Sequence, residues 1–341
     1  MANKTEKEWS KIPEIMNFFE NLLEETEMTE KNTTFTLKSY IKVNSKTPLN
    51  RNEPQNLETN STEFEESINL KNFKVKFGFE KAKVTVYYPA FFEALRLASG
   101  ISLFDFIQSL ALNNHWKENS GGKSKARFIK SYDELYIIKQ LQKNEFFMIH
   151  SYAQNFFSYM WKVLIGENES IMTKIFGLYE VSINNITYYY MVMENLFYGL
   201  KSENLQIFDL KGSETNRFVK KVRNGQTLLD TNYKIQRNNE PLALYDKDFK
   251  FFKKASENDS NFLSDHNLID YSLLLIIDEK NMKIRLGIID FLRIYTWDKQ
   301  LEHMGKIVIN AGAVPTITNP NDYRERFINA LKKYFMEAKL N

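Results

Sequence analysis

The chain contains no cysteine. That excludes disulfides, thiol nucleophiles, iron–sulfur clusters and cysteine-based zinc modules, and it fits a reducing compartment. Its four histidines (His115, His150, His266, His303) lie far apart, and no two have zinc-ligand spacing. No apolar run reaches the roughly 18 residues that a membrane-spanning helix needs. The N-terminal stretch MANKTEKEWSKIPEIMNFFE is acidic and amphipathic, unlike a secretory signal. G-x-G-x-x-G is missing. In ENSGGKSK, Lys117 occupies the place of the first glycine of a Walker A loop, so that motif fails. The protein-kinase triplets H-R-D and D-F-G are also absent.

What is present is a chain of 341 residues, 43% apolar, with 27 Phe and 18 Tyr. Such a composition supports one large or two modest folded domains. The net charge is +3, but residues 1–66 hold 8 Lys and Arg against 13 Asp and Glu, whereas 67–341 hold 38 against 30. A basic body behind an acidic leader suits an anionic partner such as a nucleotide, nucleic acid or lipid surface. No nucleic-acid recognition motif accompanies the basic residues, so nucleic acid is not expected.

Trp9 to Met28 has helical spacing, and about Lys31 to Glu66 reads as a polar linker. FKVKFGFEKAKVTVYY (Phe73–Tyr88) alternates as a strand pair. The segment beginning at Pro89 reads as one helix. A hairpin with its second turn at Tyr132–Glu134 follows, then a helix from about Lys143 to Lys162. Two further strands flank Asn184-Asn185. NLQIFDLKGSETNRFVKKV predicts a strand, a polar loop and a second extended segment. A helix is expected from Phe249, and another over Asn321–Glu337. Strands come in adjacent groups with helices between them, which favours an α+β fold with antiparallel sheets.

NLIDYSLLLIIDEKNMKIRLGIIDFLRIY reads as an apolar hairpin with one acid in each arm, Asp270 and Asp290, at apolar positions. A buried, unpaired carboxylate costs several kcal/mol. A basic partner, a bound cation or a wet catalytic cleft would each compensate. Lys139, a lone cation in LYIIKQL, is either an edge-strand lysine reaching water or a lysine gripping nucleotide phosphates. Gly121-Gly122 is either a plain hairpin turn or a turn laid over phosphates. The order Gly121-Gly122, Lys139, Met193-Glu194-Asn195, Lys211, Asp270, Asp290 matches the order of parts in a kinase.

FDLKGSETNR, LIDYSLL and LGIIDFLR resemble the signature segments of the phosphatidylinositol phosphate kinases. SGGKS, YIIKQL, MVMENLFYG, QTLLD, TWDKQLE and YRERF bring the resemblance to the type III, PIKfyve-like phosphatidylinositol 3-phosphate 5-kinases, from about Phe73 onward. The resemblance implies a two-lobed kinase fold with antiparallel sheets in both lobes. It places an N-lobe at 67–198 and a C-lobe at 199–341, with the activation loop at about 293–318. It implies transfer of the ATP γ-phosphoryl to the 5-hydroxyl of phosphatidylinositol 3-phosphate, with Mg²⁺. A phosphatidylinositol 4-phosphate 5-kinase or other phosphoinositide kinase, and a non-catalytic membrane-binding scaffold on the same fold, remain alternatives. Gly121, Gly122, Ser124, Lys139, Met193, Glu194, Asn195, Leu196 and Lys211 match nucleotide-site positions. Asp270 matches the catalytic aspartate, helped by Lys211 and Lys139, and Asp290 the magnesium ligand. Glu145 is either an orienting partner of Lys139 or a solvated helix acid. No role for Arg217 follows from the sequence. The implied partners are a phosphoinositide in an anionic membrane and recruiting protein subunits. The implied location is cytoplasmic, held peripherally on endosomal or vacuolar membranes. Without cysteine, a FYVE zinc module is not expected, so recruitment would differ. Three basic clusters could touch a membrane: Lys71 to Lys83, Lys220 to Arg223, and Lys247 to Lys254.

Overall fold

The computed structural model describes residues 74–78, 82–111, 118–120, 127–200, 204–295 and 319–338. The helix expected over Trp9–Met28, the linker, Gly121, Gly122, Ser124 and positions 296–318 of the activation loop lie outside the described residues.

The alternating segment forms the antiparallel hairpin β1 (Lys74–Gly78) and β2 (Ala82–Tyr87), with Val75 opposite Val86. The single helix expected after it is instead two, α1 (Pro89–Ala98) and α2 (Leu103–Ala111). Gly100 adopts φ 77°, which stops α1, and its N–H donates to the Leu97 carbonyl. Ser102 then caps α2: its Oγ accepts from the Asp105 N–H and donates to the Asp105 carboxylate. Next come β3 (Glu118–Ser120), β4 (Arg127–Lys130), β5 (Tyr136–Leu141) and the long helix α3 (Lys143–Leu164). Strands β6 (Ile175–Ile183) and β7 (Ile186–Glu194) meet at Asn184 and Asn185. Both turn residues have positive φ, as a two-residue hairpin of this twist demands. These strands make one seven-stranded antiparallel sheet, ordered β1-β2-β6-β7-β5-β4-β3.

The second lobe is built on a four-stranded sheet ordered β13-β12-β8-β9: β8 (Gln206–Leu210), β9 (Thr227–Leu229), β12 (Ser272–Asp278) and β13 (Lys283–Ile289). Its β12 contacts are antiparallel, but β8 and β9 run parallel. The extended segment expected after the 211–216 loop is not a strand: residues 218–223 form loop, and β9 begins only at Thr227. Around the sheet lie α4 (Asp230–Gln236), α5 (Asp246–Asp265) and α6 (Pro320–Tyr334). Helix α6 ends three residues earlier than its pattern suggests, because Phe335–Glu337 (β15) pairs in parallel with β10 (Leu242–Leu244). The short strands β11 (Leu268–Ile269) and β14 (Arg293–Ile294) pair beside the main hairpin.

The largest core cluster is shared by both lobes. Tyr152 and Phe156 of α3 pack in it with Leu263 of α5, Leu275 of β12 and Phe291. The rings of Tyr159 and Phe262 stack at 4.4 Å, and the Tyr152 hydroxyl donates to the Phe291 carbonyl at 2.9 Å. A smaller cluster, including Phe106, Ile107, Phe176 and Val192, lies against the first sheet.

Candidate active site

Strands β12 and β13 pair with Ser272 opposite Ile289. That register brings Asp270, two residues before β12, and Asp290, one residue after β13, to the same end of the hairpin. Neither acid sits inside a strand arm, as the apolar pattern suggested. Both lie at strand ends with left-handed backbone, φ 68° at Asp270 and 60° at Asp290. Aspartate tolerates that region better than β-branched residues do, and such outliers often mark sites where side-chain direction matters.

Each acid meets cations. Lys139 lies in β5, an inner strand between β4 and β7, and is 5% exposed. It is therefore not an edge lysine reaching for water. Its Nζ donates to Asp290 Oδ1 at 2.5 Å, while the Asp290 side chain is 45% exposed. The Phe128 ring lies 5.9 Å from the same ammonium, a cation–π contact. At the other acid, Lys211 Nζ donates to Asp270 Oδ1 at 2.5 Å, and Arg293 donates to Asp270 Oδ2 at 2.9 Å. Burial pushes the Asp270 carboxyl up, but the Lys211 and Arg293 charges outweigh it and hold it below the usual carboxylate range.

The loop carrying Lys211 is fixed by an acid that the sequence did not single out. Asp230 opens α4 and is fully buried. It accepts the N–H groups of Lys211 and Gly212, the Arg217 Nε–H at 2.8 Å and the Tyr334 hydroxyl. Gly212 has φ 69°, and a Cβ there would lie 2.8 Å from Ala330 Cβ and 2.9 Å from the Arg326 carbonyl oxygen. The loop thus needs glycine both for its backbone and for α6 to pass. Arg217 acquires a clear structural role: it bridges Asp230 and Asp209, and also donates to the Asp209 carbonyl. Burial works against its charge, but the two carboxylates prevail and raise its pKa. Glu145 is not a partner of Lys139; its carboxylate accepts the Gln142 N–H at 2.7 Å and caps α3.

Met193 and Glu194 end β7, and Asn195 and Leu196 lead out of the first sheet. The Glu194 carboxylate accepts the Lys174 N–H at 2.7 Å. Asn195 donates from its side chain to the Glu134 carbonyl and accepts the Phe197 N–H. Those side chains hold the crossover, leaving Met193 and Leu196 as its apolar members. Leu196 rests on β13: a Cβ at Gly287 would lie 2.9 Å from Leu196 Cδ1. A second join runs beside it. The Ile288 N–H donates to the Ile171 carbonyl, and the Thr173 N–H to the Ile288 carbonyl. Asp259 of α5, fully buried, holds that connector by accepting the Ile171 N–H at 2.7 Å and the Tyr159 hydroxyl at 2.6 Å. Burial pushes its carboxyl up to about 6, against the pull of those hydrogen bonds.

The structure therefore joins Lys139 to Asp290 and Lys211 to Asp270 at one hairpin end. Arg217, Asp230 and Arg293 were missed as parts of this site because their partners lie 8 to 104 residues away in sequence. Only an acid opening a helix, at Asp230, offered a local signal. Among the described residues no group of three or more His, Cys, Asp or Glu side chains gathers as a metal cage. A single half-exposed carboxylate such as Asp290 does suit magnesium that arrives with nucleotide phosphates, since that ion keeps few protein ligands.

The family model described as phosphatidylinositol-4-phosphate 5-kinase matches residues 110–285 and 276–334. A 1-phosphatidylinositol-3-phosphate 5-kinase of Arabidopsis thaliana is 36% identical over 270 residues, 76% of this chain and 15% of the relative. The human 1-phosphatidylinositol 3-phosphate 5-kinase is 36% identical over 266 residues, 74% of this chain and 12% of the relative. The corresponding enzyme of Saccharomyces cerevisiae is 36% identical over 245 residues, 68% of this chain and 11% of the relative. The chain thus spans only a small fraction of the length of the curated relatives it matches.

Proposed function

Because this chain belongs to the phosphatidylinositol-4-phosphate 5-kinase family, we propose that it phosphorylates the 5-hydroxyl of phosphatidylinositol 3-phosphate with ATP and Mg²⁺. The observation that carries the reading is the double pairing, Lys139 with Asp290 and Lys211 with Asp270, at one end of the β12–β13 hairpin. In this reading Lys139 turns from Asp290 to the nucleotide phosphates, and the base lies along Met193–Leu196. Gly121, Gly122 and Ser124 would complete the phosphate site. Mg²⁺, held by Asp290 and phosphate oxygens, would supply charge neutralisation.

Asp270 accepts the hydrogen bond of the attacking hydroxyl. The hydroxyl oxygen bonds to the γ-phosphorus as the bond to the β,γ-bridging oxygen breaks. ADP leaves with the electron pair, and the hydroxyl proton passes to Asp270. A carboxyl held below its usual range is a weak base, so Asp270 chiefly orients the nucleophile. That is adequate for phosphoryl transfer, whose loose transition state needs positioning and neutralisation more than proton abstraction. The intact charged pairs argue against a purely non-catalytic scaffold.

Headgroup choice is the finer part of the proposal. The relatives' names favour the 3-phosphate, whereas the family description favours the 4-phosphate as a second reading. No helix among the described residues is long and apolar enough to cross a membrane. The lipid would therefore be met peripherally, on endosomal or vacuolar membranes in the finer reading, with any recruiting subunits identified by co-purification. The deciding assay offers ATP, Mg²⁺ and vesicles carrying each singly phosphorylated phosphoinositide, and determines the product position. A 3,5-bisphosphate product that disappears with Asp290→Asn is expected. Equal turnover by that variant sinks the role given to Asp290.

A further inference from the structure

The loop that follows Lys211 carries groups which neither the catalytic site nor the core uses. Phe218 is 47% exposed and Val222 54%. Lys220, Lys221 and Arg223 are exposed beside them. No Asp or Glu occurs between Glu214 and Asp230. Among the described residues none of these three cations enters an ion pair. In the third basic cluster two of the four lysines are engaged: Lys250 pairs with Asp246, and Lys254 with Glu169.

The exposure is built rather than loose. Asn232, buried at the start of α4, accepts the Val219 N–H at 2.9 Å and donates to the Val219 carbonyl at 3.0 Å. The Thr231 N–H donates to the Arg217 carbonyl, and Arg217 itself is locked between Asp209 and Asp230. At the far end, the Gln226 N–H donates to the Arg223 carbonyl and its side chain accepts the Arg223 N–H. Val219 packs against the core, so the chain has turned one apolar side chain inward and left Phe218 and Val222 outward.

We propose that residues 218–223 form a lipid-docking finger, whose occupant is the surface of an anionic bilayer. Phe218 and Val222 enter the interfacial layer while Lys220, Lys221 and Arg223 meet the lipid headgroups. Neither part alone specifies a bilayer: apolar side chains without charge fit many surfaces, and charge without apolar groups fits any polyanion. The finger begins seven residues after the lysine that holds Asp270, so docking and catalysis would share one stretch of chain. The purpose of the finger rests on the lipid-kinase reading; its measurement does not.

The test is sedimentation of the full 341-residue chain with vesicles of pure phosphatidylcholine, and with vesicles containing phosphatidylserine. Each cation at an anionic leaflet changes partition by about fivefold. The triple change Lys220→Ala, Lys221→Ala and Arg223→Ala should therefore lower binding to anionic vesicles by about a hundredfold and remove most of its salt dependence. Phe218→Ser with Val222→Ser should lower binding about tenfold and leave the salt dependence in place. Lys250→Ala with Lys254→Ala should change it less than twofold. Turnover of a soluble short-chain phosphoinositide should stay within twofold in every variant, with unchanged thermal melts. Equal binding of parent and finger variants to anionic vesicles overturns the proposal and leaves an acidic protein surface as the occupant. Equal loss of vesicle and soluble-lipid turnover also overturns it, placing the loop in the catalytic site. A chain that phosphorylates no lipid but still needs the finger for vesicles would sink the kinase reading alone.

Discussion

Asp290 and Asp270 share a backbone device and differ in everything around it. Both leave the end of a strand in the left-handed region. Among the described residues Asp290 meets one cation, the buried Lys139, and no cation pairs with its second oxygen. Asp270 meets two, Lys211 and Arg293, one on each oxygen, and both cations are partly open to solvent. The first arrangement leaves a coordination site beside a buried charge. The second leaves an acid already neutralised, which in the proposed mechanism chiefly aligns the hydroxyl whose proton it finally takes. The same residue type, in the same conformation, takes a different part according to its neighbours' burial.

The sharpest way to break this comparison is to remove either member of the buried pair. Lys139→Met and Asp290→Asn should each lower lipid turnover by about 10²–10³-fold, the scale of losing one preorganised charge. Their stabilities should differ. Asp290→Asn leaves a buried ammonium without its carboxylate, at a cost of about 2 kcal/mol after allowing for the half-exposed partner. Lys139→Met leaves only an acid that water can reach, and should melt closer to the parent. Equal melting temperatures would contradict the asymmetry.

A second pair of variants sharpens the other side. Arg217→Ala strips a fully buried carboxylate of its cation, and should cost about 3 kcal/mol in thermal or denaturant unfolding. Arg293→Ala removes a partly exposed ion pair, and should cost no more than about 1 kcal/mol. Its effect should appear in the pH–rate profile. With one neutralising charge gone, the Asp270 carboxyl rises toward its ordinary value, so the acid limb of kcat/KM moves to higher pH. An unmoved limb would show that Arg293 does not act on Asp270.

The smallest expected effect is a pH dependence of folding. Asp259 has a folded-state value of about 6, above its unfolded value of about 3.9. The folded state then holds the proton more tightly, and stability falls as pH rises from about 4 to about 6. Asp270 has the opposite sign: its lowered value gives stability that is lost as pH falls below the ordinary carboxylate range. Asp259→Asn should flatten the slope between about pH 4 and 6 in chemical denaturation. A slope identical to the parent's would exclude Asp259 as its source.

The elements whose partners are near in sequence were legible. The Asn184-Asn185 hairpin, helix α3 and the β12–β13 pair follow from turn residues and apolar spacing. The motif segments also picked out Lys139, Lys211, Asp270 and Asp290. What the pattern could not carry is backbone handedness, so both acids read as members of strands when they stand just outside them. The break between α1 and α2 had local signals, Gly100 followed by Ser102 and Asp105, which the apolar spacing masked. The Asp209–Arg217–Asp230 bridge and the parallel β8–β9 pairing were beyond reach, since each depends on where the chain returns after a loop.

The core shared by α3 and α5 has a mechanical consequence. Separately hinged lobes would part along a polar seam, but here aromatic rings interlock across it and Asp259 rivets the connector. The two halves behave as one casting rather than as a jaw. Heat should therefore unfold both halves in a single step.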